Sequence, residues 1–308
     1  MKKQLLIAAV AATMTSVAFA DISITGGAKV NFTATDTVDA ANSNTIKHDI
    51  DLTVAGNTGA TGVVMTVSNA NIDDTAAATT TGLTVENAYV TSSVAGVNIK
   101  MGQWAETSDS LLTDQKSTYE AGKISLDTTV GGVKIQFEDE NQGDSSVTVS
   151  GEMAGVKLSH EVYQADTDTK INATVAGVSI AYRVRDRDAA DKNTSSLQLT
   201  KDFSGMTFTY ASIDTDTSAT AISADGWIAG SGIKDADGFG VSMPLAGNTV
   251  QAKRITITDA EGDDKSTKLY VTRKLASGAT FEAIYTDTDN AAAQADTTSL
   301  DLELAVKF

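Results

Sequence analysis

Near the C-terminal end of the chain, Leu300, Leu302, Leu304, Val306 and Phe308 occupy every second position, with Asp301, Glu303, Ala305 and Lys307 between them. An amphipathic helix needs apolar residues three and four apart, so this alternation predicts a strand with one apolar and one polar face. The segment after Ala20 repeats the pattern: Ile22, Ile24, Ala28, Val30 and Phe32 oppose Ser23, Thr25, Lys29 and Asn31. Between these ends a unit recurs, made of a strand, a short glycine turn, a second strand and a longer polar stretch. Val94-Ala95-Gly96-Val97, Val130-Gly131-Gly132-Val133, Met153-Ala154-Gly155-Val156 and Val175-Ala176-Gly177-Val178 are near-copies of one turn. Gly56-Asn57-Thr58-Gly59, Ser204-Gly205, Ala246-Gly247-Asn248 and Ala276-Ser277-Gly278 supply four more. Glycine and asparagine tolerate the positive φ of tight hairpins.

Eight hairpins give sixteen strands, and the end segments 21–35 and 297–308 bring the count to eighteen. The hairpin over 146–163 is the weakest, because Gly151 interrupts its first strand; without it the count falls to sixteen. Stretches rich in Asp, Thr, Asn and Ala at 36–43, 69–82, 105–119, 139–145, 164–168, 187–193, 214–237, 259–266 and 287–296 read as loops. Short turns alternating with longer loops predict an all-β chain, a transmembrane antiparallel up-and-down β-barrel. A solenoid of similar period repeats one consensus, whereas here only the turns recur. A soluble sandwich with its apolar faces packed inward would alternate in the same way. Strands at both ends and an even strand number favour closure into a barrel.

The first twenty residues read as an address. Lys2 and Lys3 form a basic start, an apolar stretch runs from Leu5 through Val17, and Ala18-Phe19-Ala20 is a small-x-small cleavage pattern. Residues 1–20 are therefore expected to be a signal peptide, and 21–308 a single barrel domain. No later apolar run is long enough for a membrane helix. The formal net charge is −17, and loss of Lys2 and Lys3 makes it −19. Such acidity argues against nucleic acid as a partner, because phosphate binding needs clustered Lys and Arg. The chain has no cysteine and one proline, Pro244. Disulfides and thiolate metal sites are excluded, and strands keep nearly all of their ladder donors.

The signal peptide, the many amphipathic strands and the terminal "LDLELAVKF" ending in Phe308 resemble the general porins of Gram-negative bacteria, especially their alphaproteobacterial branch. "DISITGGAKVNF" and "VTSSVAGVNIKMGQW" are similar to that family's first strand and its fourth-to-fifth hairpin. The resemblance implies the cell outer membrane, outer-membrane lipid around the barrel, a homotrimer and passive diffusion of small hydrophilic solutes and ions. It also implies that Phe308 serves as an assembly signal for the outer-membrane machinery, and that the third external loop narrows the pore. The family usually has sixteen strands, a departure from the count here.

That third loop is 105–119, whose Glu106, Asp109 and Asp114 are candidates for the acidic side of a constriction, with Leu111 and Leu112 pinning it to the wall. Counting upward from the turns, Lys29, Lys47, Asp49, Asp51, Lys100, Arg183 and Arg185 share the parity of polar neighbours and are expected to line the lumen. Charged rings and constrictions of this kind set selectivity in pores, and the overall charge suggests a preference for cations. Trp104, Tyr89, Tyr163, Tyr182, Tyr210 and Tyr285 are candidates for interfacial girdles. "DTDT" at 166–169, 214–217 and 286–289 reads as loop acid, open to weak Ca²⁺ or Mg²⁺ association but lacking any calcium-loop motif. His48 and His160 each stand alone on an apolar strand face. No nucleophile triad, phosphate loop or zinc motif is present, so neither an enzyme nor a cofactor is expected. The competing functions are a substrate-selective channel on the same barrel and a secreted or surface-layer β-rich adhesin.

Overall fold

The computed structural model describes residues 21–68, 72–73, 83–104, 107–108, 115–116, 120–140, 144–164, 166–186, 193–215, 235–258, 262–290 and 295–308. The expected leader, residues 1–20, lies outside them. Eighteen long strands run up and down: β1 (Asp21–Thr37), β2 (Ser43–Thr58), β3 (Thr61–Ser68), β4 (Thr84–Val94), β5 (Val97–Trp104) and β6 (Glu120–Val130). They continue as β7 (Val133–Glu140), β8 (Asp144–Met153), β9 (Val156–Tyr163), β10 (Asp166–Val175), β11 (Val178–Asp186) and β12 (Thr194–Phe203). The last six are β13 (Met206–Thr215), β14 (Asp235–Leu245), β15 (Asn248–Thr258), β16 (Asp263–Lys274), β17 (Thr280–Asp289) and β18 (Thr297–Lys307). Every strand pairs antiparallel with its chain neighbours, and β1 pairs with β18, so the sheet closes and has no free edge. The protein is a closed eighteen-stranded barrel, and the sixteen-strand alternative is corrected: the hairpin around Gly151 forms, with Val133↔Gly151 and Gly151↔Leu158 in register.

All eight turns fall where the glycines place them, and all at the same end of the barrel. Five have a residue other than glycine at positive φ beside the glycine: Ala95, Ala154, Ala176, Ser204 and Ala246, with φ of 51–52°. Two successive positive φ values define the turn whose twist matches that of a right-twisted hairpin. The seam is closed by Gly27↔Lys307 through Thr37↔Thr297, and by two backbone hydrogen bonds between Gly26 and Phe308, at 2.8 and 3.0 Å. The Phe308 ring lies on Gly26; a Cβ there would stand 2.6 Å from the ring and 2.7 Å from the Asp51 carbonyl oxygen. An aromatic side chain covering a glycine on a neighbouring strand restores the packing that the glycine lacks.

The strands run farther toward the loops than composition suggests. The Asp-Thr repeats at 166–169 and 286–289 are strand, correcting their reading as loop. Thr is a good strand former, and water on one or both faces accommodates Asp there. Two short pieces, Thr107–Ser108 and Gln115–Lys116, pair as a separate hairpin inside the 105–119 connection.

Candidate functional site

The alternation of each strand gives the barrel two surfaces, and the register carries one parity round the ring apart from shifts at Thr66/Val67 and Gly102/Trp104. On the outer surface stand Ile24, Val63, Val90, Phe137, Leu158, Phe239 and Leu304, all well exposed on the isolated chain. Their neighbours along the strands point inward and are mostly polar or charged, except on β13 to β15, where Ala211, Ile213, Ala236, Ile255 and Ile257 form a buried apolar patch on the inner face. Beyond the apolar band, toward the loops, the outward positions turn acidic: Asp36, Asp186, Asp214, Asp237, Asp287 and Asp289 are all exposed on the outside. Part of the negative charge therefore faces away from the lumen, offset there by Arg254 and Lys265, which the sum over the sequence cannot show.

The inward face places Lys29 between Asp49 and Glu303, with Nζ 3.4 and 3.9 Å from their carboxylates. Lys29 and Asp49 are direct cross-strand partners, Lys47 stands opposite Asn31, and Asp51 opposite Gly27. Thr33 donates a hydrogen bond to Asp301 on the next strand. Lys47, Asp49, Asp51 and Lys29 thus share one wall, the seam formed by β18, β1 and β2. Arg183 and Arg185 lie on β11, half the ring away, in contact with Asp168. Lys100 lies on a third wall. Glu106, Asp109 and Asp114 lie outside the described residues, as do Leu111 and Leu112.

The third wall holds a group that residue counting missed. Tyr89 and Trp104 are edge to face with ring centroids 6.3 Å apart, and Lys100 Nζ stands 4.3 and 4.2 Å from the two centroids. Lys123 Nζ lies 5.2 Å from the Trp104 ring and 2.9 Å from Glu138. Trp104 and Lys123 are each 4% exposed, so this is packed interior on the lumen side. Tyr89, Trp104 and Tyr163 are therefore not girdle residues: they share parity with Thr91, Lys100 and Glu161. Tyr182, Tyr210 and Tyr285 do face outward, and the Tyr210 hydroxyl donates to Asp237 at 2.8 Å. The parity of Tyr89 against Val90 was the available signal.

Gln136 Nε2 also donates to Glu138, at 3.2 Å, and both charges of the Lys123–Glu138 pair are nearly out of contact with water. Breaking such a pair from one side costs about 3 kcal/mol, because the remaining charge stays desolvated. Lys123→Met is thus expected to lower the urea midpoint of the folded barrel markedly, and Lys123→Met/Glu138→Leu to recover most of the loss. Equal midpoints for the single variant and the parent would show the pair to be hydrated.

His48 and His160 both face outward; the His160 Nδ1 is 2.9 Å from the Thr169 hydroxyl, a cross-strand contact. Among the described residues no group of three or more His, Asp or Glu is arranged to hold a metal ion. 

No family model matches the chain, and no curated protein does either. Solved structures do. The chain is similar to OccK11 (OpdR) of Pseudomonas aeruginosa, with a TM-score of 0.69 at 9% identity, covering 94% of this chain and 96% of that one. OccAB4 of Acinetobacter baumannii matches with a TM-score of 0.67 at 10% identity over 94% and 98% of the two chains. The outer membrane protein OprD of P. aeruginosa matches with a TM-score of 0.64 at 12% identity over 93% of each. At these identities the likeness is one of fold: a full-length barrel of the same build.

Proposed function

We propose that this chain is a porin of a Gram-negative outer membrane, a water-filled channel through which small hydrophilic solutes and ions diffuse passively. The observation that carries this reading is the sidedness of the closed ring: an exposed apolar band faces outward and charged side chains line the inner wall at the seam and on β9 to β11, with a local apolar patch of Ile213, Ile255 and Ile257 packed inward. A soluble barrel puts its greasy face inside; this one inverts the order, which only surrounding hydrocarbon and enclosed water satisfy together. The barrel likeness to OprD, an outer membrane protein by its description, supports the same location.

On this reading residues 1–20 direct export, 21–308 form the barrel, Phe308 is read by the assembly machinery, and three copies associate in outer-membrane lipid. The inward charges of the seam, with Glu106, Asp109 and Asp114 of the 105–119 connection, set selectivity. On the seam Asp49, Asp51, Asp301 and Glu303 outnumber Lys29, Lys47 and Lys307 by one, which favours a mild preference for cations. No chemistry is catalysed, and Ca²⁺ or Mg²⁺ associates at most weakly with loop acids.

A selective channel is the second reading. Tyr89, Tyr163 and Tyr270 all take inward positions, and one matched structure, OccK2 of P. aeruginosa, is described in complex with glucuronate. Both readings meet the same first test. Purified protein in a planar bilayer is expected to produce discrete, ohmic conductance steps; folded protein that inserts without any step would remove the channel.

A further inference from the structure

Near the turns, one inner wall carries a recess that is polar and almost free of charge. The inward positions of β10, β11 and β12 form two rows there. Asn172, Ala181 and Gln198 stand directly across from one another, and one row nearer the turns so do Thr174, Ser179 and Thr200. In each row β11 supplies the shortest side chain, so its line is a trough between the longer residues of β10 and β12. Toward the loops the trough ends at Arg183, the next inward residue of β11. Arg183 and Lys170, directly across from it, both contact Asp168.

The recess has a volume of about 210 Å³ and extends to Gly155 and Lys157. Lys157 is the one charged residue of its lining, and stands directly across from Glu152. Asn172, Thr174 and Ser179 are exposed to the lumen. Among the described residues, the Asn172 amide and the hydroxyls of Thr174, Ser179 and Thr200 make no hydrogen bond, so their capacity is open to a solute. A hydroxyl both donates and accepts, and so does a carboxamide. A carboxylate only accepts and an ammonium only donates, so an ion leaves half of such a lining unmatched. Pockets for drug-sized ligands measure about 300–1,000 Å³, so this one suits a single small ring or a short chain.

We infer that this recess is a subsite for small uncharged polyhydroxy solutes, a monosaccharide or a polyol, whose hydroxyls are received by Asn172, Thr174, Ser179 and Thr200. The inference rests on the channel reading and names a solute class for it. Each hydroxyl of such a solute finds a group that can answer it in either role.

Liposome swelling tests this with D-xylose and triethylene glycol, uncharged solutes of nearly equal mass, the first rich in hydroxyls and the second mostly ether. Xylose is the stiffer and bulkier, so a plain sieve passes it no faster. The parent protein is expected to swell roughly threefold faster in xylose, less than one net hydrogen bond supports. Asn172→Leu, Thr174→Val and Thr200→Val keep the shape of each side chain and remove its polar atoms. In the triple variant the xylose-to-triethylene glycol ratio falls to one or below, with entry of triethylene glycol unchanged. Each single variant lowers the ratio in part, which carries the test should the triple variant not fold. Lys157→Gln keeps the parental ratio. A parent ratio at or below one, with triethylene glycol entering freely, would overturn the subsite and leave the channel standing; so would a parental ratio in the three polar-to-apolar variants. Swelling in neither solute would remove the channel and the subsite with it.

Discussion

Gly102→Ala is expected to abolish the folded barrel. Gly102 lies inward on β5 with φ +139°, and a Cβ there would stand 2.1 Å from the Ala88 carbonyl oxygen and 2.7 Å from the Tyr89 Cα. Both are backbone atoms of the paired strand, so no side-chain rotation relieves the contact. At the same point the register between β5 and β6 shifts, between Gly102 and Trp104. An extra residue at a bulge bends its strand and re-aims the next side chain. Here the extra residue lies on β6, between Glu120 and Lys123, while Trp104 keeps the inward parity of Lys100 and packs against Lys100 and Lys123. Backbone strain of this kind costs about 1–3 kcal/mol per residue, and steric overlap with main chain adds to it. The variant is expected to lose the fast-migrating folded band on unheated gels. Gly62→Ala serves as comparison, because its Cβ would crowd only a side chain, the Thr91 hydroxyl at 2.8 Å, with the Gly56 carbonyl oxygen at an ordinary 3.7 Å. A folded Gly102→Ala of parental stability would mean that the strand takes another path there.

Leu302→Arg is the second large effect. Leu302 is outward on β18, between Phe32 and Ala283 on the neighbouring strands and midway along the run from Leu300 to Val306. An arginine near the middle of the hydrocarbon costs about 2–4 kcal/mol. In lipid vesicles the folded fraction of Leu302→Arg is expected to fall at urea concentrations where the parent stays folded. Ser299→Arg, three residues away on the inward face, meets enclosed water instead and should fold like the parent. Equal behaviour of the two variants would show that the outward face does not meet lipid.

Most of the fold was legible because a barrel hairpin is written locally. The turn glycines, the period of two and the polar stretches lie within a few residues of one another, so Val94 to Val97 or Met153 to Val156 announces its hairpin. Strand ends were less legible. Asp166, Thr167, Asp168 and Thr169 look like loop by composition, yet the ladder continues through them because Thr suits a strand and the inward Asp168 is held by Arg183. Parity placed Lys29, Lys47, Asp49, Asp51, Lys100, Arg183 and Arg185 on one face, but it could not say which of them meet. Lys29 touches Glu303 across 274 positions of sequence, a proximity created only by closure. The lumenal aromatics were misplaced because residue type was weighed above parity: Tyr89 alternates with Ala88 and Val90, which face outward. The direction of the acidic residues beyond the band was hidden for a different reason, since a net charge has no direction.

Neighbouring residues offer the most direct test of which surface meets water. The chain has no cysteine, so single thiols can be placed without background. Gln198→Cys and Leu197→Cys differ by one position on β12, and the register points the first inward and the second outward. Each is to be reconstituted in a planar bilayer and exposed to a charged, membrane-impermeant thiol reagent. The account predicts conductance steps from both, with stepwise reduction on reagent addition for Gln198→Cys and no change for Leu197→Cys. Modification of Leu197→Cys with Gln198→Cys untouched would mean that the two faces have been assigned the wrong way round.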